Sequence, residues 1–254
     1  MIEDLQGKVV LITGSSTGIG AAAAIAFAAN GAKVGVHYNA SKAEAEKVAS
    51  EVEKAGGKPF LVQGDVTDSA ACRQIVDKTV HSLGRIDVLI TNAGGLVQRA
   101  PVEEITDELF DKVVYLNVRS ALACIGAAVP HFRKQGGGNI INVTSIAARH
   151  GGGPGAALYA GSKGFVSTMT RGLAKELVKD SIRVNAVSPG VIYTPFHERY
   201  STPQMLESFK ASIPMNRIGT ADECSGAFLF LASAQLSGYV TGQIIEVNGG
   251  QYMP

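Results

Sequence analysis

From end to end of this chain, short apolar runs rich in β-branched residues alternate with longer stretches whose apolar positions recur at helical spacing. Strand and helix periods taking turns in this way leave few architectures open. Parallel strands need long crossovers, and helices supply them on both faces of the sheet. The strand-like runs are KVVLIT (8–13), AKVGVHY (32–38), PFLVQGDV (59–66), RIDVLITNAG (85–94), GGNIINVTS (137–145), IRVNAVSPG (182–190) and QIIEVNGG (243–250). Helices are expected over AAAAIAFAANGA (21–32), SKAEAEKVASEVEKAGG (41–57), 68–83, 107–134 with a bend or break near Pro130, 157–179, a short stretch near 203–212, and 221–233. The expectation is an α/β chain: a Rossmann-like, doubly wound parallel sheet in a three-layer sandwich, with residues 1–254 as a single domain. The stretch 189–220 breaks the rhythm. An insert of that length in a compact domain reads as a substrate loop or lid.

Charge excludes some partners. With 23 Lys and Arg against 22 Asp and Glu, the net charge is +1, which gives no footprint for nucleic acid or for a membrane surface. The acidic start MIEDLQGKVVLITG lacks the basic flank of an export signal, and no stretch reads as long and apolar enough to span a bilayer. Cys72, Cys124 and Cys224 are too scattered for a metal cluster or a disulfide framework, so no metal is expected and a reducing, cytoplasmic setting is.

Directly after the first strand comes Thr13-Gly14-Ser15-Ser16-Thr17-Gly18-Ile19-Gly20. Glycines at a strand-to-helix turn let backbone approach a pyrophosphate, and the helix N-terminus offers free N–H groups and a partial positive charge. The spacing is GxxxGxG, not the GxGxxG of the general dinucleotide fingerprint.

Tyr159 and Lys163, four apart at a helix start, share one helix face. To exchange protons near neutrality the phenol must fall by about three pH units, about 4 kcal/mol. A lysine, a cationic nicotinamide ring and a preorganised site could together supply that. Ser145 sits at the C-terminal end of a strand, the edge where open α/β sheets bind ligands, and its hydroxyl can donate to a carbonyl oxygen.

The turn TGSSTGIG, Asp65 after the third strand, Thr91-Asn92-Ala93-Gly94 after the fourth, Asn117, Ser145, Tyr159-xxx-Lys163 and Pro189-Gly190 follow one another in an order that resembles the short-chain dehydrogenase/reductase family over essentially the whole chain. The resemblance implies a nicotinamide-dependent oxidoreductase acting on a carbonyl or secondary alcohol. It implies a cofactor held by Gly14, Ser16, Thr17, Gly18, Ile19 and Gly20, by Asp65 and Val66 at the adenine, and by Asn92, Ala93 and Gly94 along the cleft. Tyr38, Asn39 and Ser41 would border the adenosine ribose; Pro189, Gly190, Ile192 and Thr194 would border the nicotinamide; Tyr159 and Lys163 would touch cofactor as well as substrate. Asn117 would hold a water linking Lys163 to solvent. After the second strand no acid stands until Glu44, while Asn39, Ser41 and Lys42 offer donors, which favours NADP over NAD.

The Ser145–Tyr159 loop is one residue longer than the commonest family spacing. It carries Arg149 and His150, which with His197 are candidate substrate contacts. Those groups favour a small polyhydroxylated substrate (sugar, polyol or sugar acid). The alternatives are a 3-oxoacyl thioester reductase, an epimerase or dehydratase using the cofactor internally, and a silent NADP-binding regulator. The helices 107–134 and 157–179 carry more small and apolar residues than one sheet-facing stripe needs, so a homotetramer is expected.

Overall fold

A computed structural model describes residues 1–254. Seven strands form one sheet: β1 (Val9–Ile12), β2 (Lys33–Tyr38), β3 (Lys58–Gln63), β4 (Val88–Thr91), β5 (Gly138–Val143), β6 (Ile182–Pro189) and β7 (Ile244–Val247). Their order is β3-β2-β1-β4-β5-β6-β7, and every pair is parallel. The helices are α1 (Gly18–Ala28), α2 (Lys42–Lys54), α3 (Ser69–Leu83), α4 (Asp107–Lys134), α5 (Ala157–Leu177), α6 (Pro195–Tyr200), α7 (Pro203–Ala211) and α8 (Ser225–Ala232). This is the expected Rossmann-like sandwich.

Alternate residues of each central strand feed two cores. Val10 and Ile12 pack with Phe27 and Phe228 on one face, and Leu11 packs with Ile75 and Phe132 on the other. That is why the strands read as continuous apolar runs: both of their faces are covered. The chain reverses direction across the sheet between β1 and β4, so their C-terminal ends open a crevice at the switch point.

The long helix α4 departs from expectation in two ways. It runs unbroken through Pro130; the carbonyl left without its donor belongs to Gly126, whose side of the helix is open. The irregularity lies instead at Tyr115–Arg119, a π-helical turn around Asn117, whose amide donates to the Val113 carbonyl at 2.9 Å. By length and composition α4 could also cross a membrane, contrary to the reading above. Half of its most apolar 18-residue stretch is buried in the fold, with Cys124, Ala128 and Phe132 packed into the second core.

The insert is less irregular than its sequence. Proline stands at the first turn of both α6 and α7, a position that needs no N–H, and the Thr202 hydroxyl caps α7. A two-residue ladder, Ile192–Tyr193 on Gly219–Thr220, closes the base of the insert.

Candidate active site

At the C-terminal ends of β1, β4, β5 and β6 lies a cleft of about 260 Å³. One end is the glycine turn. Gly14 and Gly18 adopt left-handed conformations, φ +64° and +58°, that other residues resist. Gly20 is excluded from substitution by crowding: a Cβ there would sit 2.5 Å from the Asn92 amide nitrogen. That amide in turn donates to the carbonyls of Thr13 and Gly14, both at 2.9 Å, so β4 braces the turn. No side chain caps α1, which leaves its first-turn N–H groups facing the cleft. Open N–H groups and a backbone that can be approached closely fit a pyrophosphate.

His37, which the sequence reading passed over, fastens this turn to β3. It is buried; Nδ1 accepts from the Gly14 N–H at 2.8 Å and Nε2 stands 3.0 Å from the Gly64 carbonyl, so Nε2 carries the proton. Burial pulls its pKa below the ordinary value, and the hydrogen bond to Gly64 works the other way.

The expected cofactor residues divide by position. Gly14, Thr17, Gly18, Ile19, Asn92, Gly94, Pro189, Gly190, Ile192 and Thr194 line the cleft. Ser16, Gly20, Ala93 and Val66 lie outside that lining. Asn39 and Ser41 are exposed beyond its far end, and Lys42 pairs there with Glu46 at 3.6 Å. The Asp65 carboxylate accepts from the N–H and hydroxyl of Thr67, and these bonds together with one to Asn39 hold its pKa low. The Tyr38 side chain corrects expectation: strand alternation sends the ring into the first core, leaving only its backbone at the sheet edge.

At the floor, α5 brings Tyr159 and Lys163 together beside Ser145. Lys163 is buried, and its ammonium donates to the Val143 carbonyl at 2.9 Å, 6.0 Å from the Tyr159 ring centre. Burial pulls the ammonium down to about 8. Burial pushes the Tyr159 phenol up to about 12, against a hydrogen bond from Ser145 that lowers it. Without the cationic ring on which the expectation also relied, desolvation outweighs the Ser145 hydrogen bond and the phenol stays above its ordinary value.

Asn117 sits behind the floor, buried. Its amide donates to the Gly95 and Val113 carbonyls and its oxygen accepts from the Gly95 N–H, all at 2.9 Å, so it clamps the loop after β4. Gly94 has no room for a side chain: a Cβ would lie 2.7 Å from the Asn117 oxygen and 2.9 Å from the Lys163 ammonium.

The mouth is built by distant segments. His150 and His197, the candidate substrate contacts, line it. Arg149 does not: consecutive residues on the helical turn Ala147–His150 point about 100° apart. Its guanidinium lies outside the cleft lining and largely buried, paired with Glu246 at 2.8 Å and 5.5 Å from the Tyr252 ring centre. Four residues missed by the sequence reading complete the mouth: Arg99, Phe196, Phe209 and Gln251. The Phe196 ring lies 5.8 Å from that of Tyr159. Arg99 and Gln251 had a usable signal, since both follow strands at the sheet edge where ligands bind. Burial, aided by the charge of Arg99, pulls His197 down to about 4, so it is neutral.

Comparison with known proteins agrees with this geometry. A family model described as enoyl-(acyl carrier protein) reductase matches residues 14–251. A 3-oxoacyl-[acyl-carrier-protein] reductase of Thermotoga maritima is 40% identical over 248 residues, 97% of this chain and 98% of that protein. The chloroplastic NADPH-dependent aldehyde reductase 1 of Arabidopsis thaliana is 36% identical over 97% of this chain and 86% of its own length. Among solved structures, the NADH-dependent reductase A1-R' responsible for alginate metabolism superposes with a TM-score of 0.91 at 42% identity, over 99% of this chain and 100% of that one.

Proposed function

The chain belongs to the short-chain dehydrogenase/reductase family and is an NAD(P)-dependent oxidoreductase, and from that premise we propose that it interconverts a carbonyl and a secondary alcohol on a small polyhydroxylated compound. The observation that carries the reading is the convergence of Tyr159, Ser145 and Lys163 at the floor of a small cleft whose mouth presents His150, His197 and Gln251. When bound, the nicotinamide cofactor supplies the hydride and, once oxidised, a cationic ring. Tyr159 Oη gives a proton to the carbonyl oxygen in reduction and takes one in oxidation. Ser145 donates to that same oxygen. Lys163 supplies positive charge beneath the phenol, and Asn117, with one lone pair still free, holds a water toward it. The aromatic lid of Phe196 and Phe209 keeps bulk water from the reacting atoms.

NADP is the proposed cofactor, because the end of β2 carries no acid to repel a 2′-phosphate. NAD is the second reading: Lys42 is paired with Glu46 and Asn39 is bonded to Asp65, which occupies two of the donors that a phosphate would use. The similar structures and relatives include both an NADH-dependent and an NADPH-dependent reductase. A 3-oxoacyl thioester remains the competing substrate, supported by the Thermotoga relative. The test is a spectrophotometric panel of sugars, sugar acids, polyols and acetoacetyl thioesters, run with both cofactors. Faster turnover of the thioester than of every polyhydroxylated compound would overturn the substrate reading.

A homotetramer is also proposed. On α4 and α5, Tyr115, Leu122 and Phe165 stand exposed, and Gly161, Gly164 and Gly172 have nothing within 4 Å where a Cβ would be. Ala121, Cys124 and Ala128 of α4 turn inward and take no part in that face. Light scattering of the purified chain should give four times its 26.4 kDa mass; a single-chain mass would contradict the assembly. The free, buried Cys72, Cys124 and Cys224 support a reducing cytoplasmic setting.

A further inference from the structure

Arg99 brings a positive charge to the mouth that no acid answers. Its Nε donates to the Tyr200 carbonyl at 3.1 Å and its Nη1 to the Pro154 carbonyl at 2.8 Å. These two bonds span opposite walls of the mouth, α6 and the 151–155 loop, and fix the direction of the planar fork without neutralising it. Two of the five guanidinium N–H groups are used; the pair on Nη2 and one on Nη1 have no partner in the protein. The fork lies beside Gly153 and Phe209, since a Cβ on Gly153 would be 3.9 Å from both Nη1 and the Phe209 ring. No Asp or Glu lines the cleft, and the other cation there, Lys163, is committed to the Val143 carbonyl. A guanidinium fork held in position by two backbone acceptors, with its remaining N–H groups open at the mouth and no acid lining the cleft, points to an anionic partner that arrives from outside.

Across the mouth, Gln251 has the opposite deficiency. Its Nε2 donates at 2.8 Å to the Ser212 hydroxyl, whose own hydrogen goes to the Phe209 carbonyl at 2.7 Å, and this fixes which end of the amide faces Ser212. The carbonyl oxygen is then buried with no donor. A buried acceptor without a donor is rare in folded proteins, and with almost none of its surface open this one meets a ligand hydroxyl when the Gln251 side chain turns toward the cleft that it lines. A carboxylate could not, having nothing to donate.

We propose that the carbonyl substrate carries a carboxylate gripped by the Arg99 fork and a hydroxyl donated to Gln251, which narrows the class to polyhydroxylated carboxylates such as oxidised sugar acids. The inference rests on the oxidoreductase reading of the same cleft. Arg99 presents parallel N–H groups in the geometry that a carboxylate accepts, and the bond is charge-assisted. A neutral sugar would leave the cation unpaired, and an acyl chain would leave both Arg99 and Gln251 unanswered.

Steady-state kinetics on matched ketone pairs tests this: 5-ketogluconate against fructose, and levulinate against 2-pentanone, with the purified enzyme and reduced cofactor. The wild type should favour the carboxylate of each pair at least tenfold in kcat/KM. Arg99→Gln should lower that ratio by about 10- to 100-fold, mainly through KM of the carboxylate. Because Arg99 also ties two walls together, a second arm uses only the wild type. Gluconate should inhibit competitively against substrate, more weakly as salt rises, whereas glucitol should inhibit far less. Preference for the neutral partner, an unchanged ratio in Arg99→Gln, or equal inhibition by gluconate and glucitol would overturn the inference alone. Failure to oxidise reduced cofactor with any carbonyl, thioesters included, would overturn the oxidoreductase reading and this inference with it.

Discussion

The floor of the cleft and its mouth are held by different means. The floor is fixed by backbone: glycines that allow no side chain, an Asn92 amide on two carbonyls, a lysine on another, and an Asn117 clamp. The mouth is assembled from side chains of four segments that meet only in the folded chain: Arg99, His150, the insert with Phe196, His197 and Phe209, and Gln251 near the C-terminus. Rigid backbone at the floor keeps the reacting atoms in place. Side chains at the mouth can change with the substrate and leave the floor undisturbed.

The comparison predicts unequal responses to substitution. Lys163→Met should lower turnover by at least about a hundredfold, since it removes the charge beneath the proton-transfer group. Phe209→Ala should act mainly on KM, with kcat within about tenfold of wild type. Steady-state assays of both variants would break the contrast if Phe209→Ala lowered kcat as much as Lys163→Met.

Stability should divide in the same way. Gly20→Ala forces a Cβ against Asn92 and the Gly14 carbonyl, an overpacking cost of about 1–3 kcal/mol, and should weaken cofactor binding. Gly153→Ala at the mouth meets its neighbours at ordinary contact distance and should stay within about 0.5 kcal/mol. Thermal melts and cofactor titrations of the two variants check this.

Ionisation sharpens the contrast further. Burial lowers Lys163 from 10.5 to about 8, so the unfolded chain binds the extra proton between those values. The stability gained by keeping this amine neutral is complete above pH 10.5 and is lost as pH falls to about 8, at most about 3 kcal/mol. Tyr159, raised from 10.0 to about 12, acts in the opposite sense above pH 10. Denaturant melts should therefore show stability rising from pH 8 toward 10, and Lys163→Met should flatten the rise.

The smallest effect concerns His37. Its lowered pKa means that folding favours the neutral ring, a contribution complete above 6.5 and lost as pH falls toward the folded value. A protonated Nδ1 cannot accept from Gly14, so cofactor affinity should decline with it. His37→Gln, which offers an untitrating acceptor, should remove most of the acid-side decline in cofactor titrations; an unchanged decline would show that His37 does not fasten the turn.

Legibility in the sequence follows the same division. Strands buried on both faces, the glycine turn and the Tyr159–Lys163 pair are local patterns, and local spacing carries them. The Tyr38 ring and the Arg149 guanidinium were misplaced because their directions depend on strand parity and on one helical turn ended by Gly151 at φ +84°. Arg99 and Gln251 were marked in the sequence only by their place after strands at the ligand-binding edge; what they lack for partners is set by the assembled fold. The helix irregularity expected near Pro130 lies instead in the π-helical turn around Asn117, since a side-chain bond to a helical carbonyl leaves no trace in composition.

The most direct test of the account is turnover by Tyr159→Phe, followed at the reduced-nicotinamide absorbance band, alongside titration of the same cofactor. The account predicts cofactor affinity within about threefold of wild type and turnover reduced at least about a hundredfold, because only the proton-transfer hydroxyl is gone. Turnover close to wild type would contradict it.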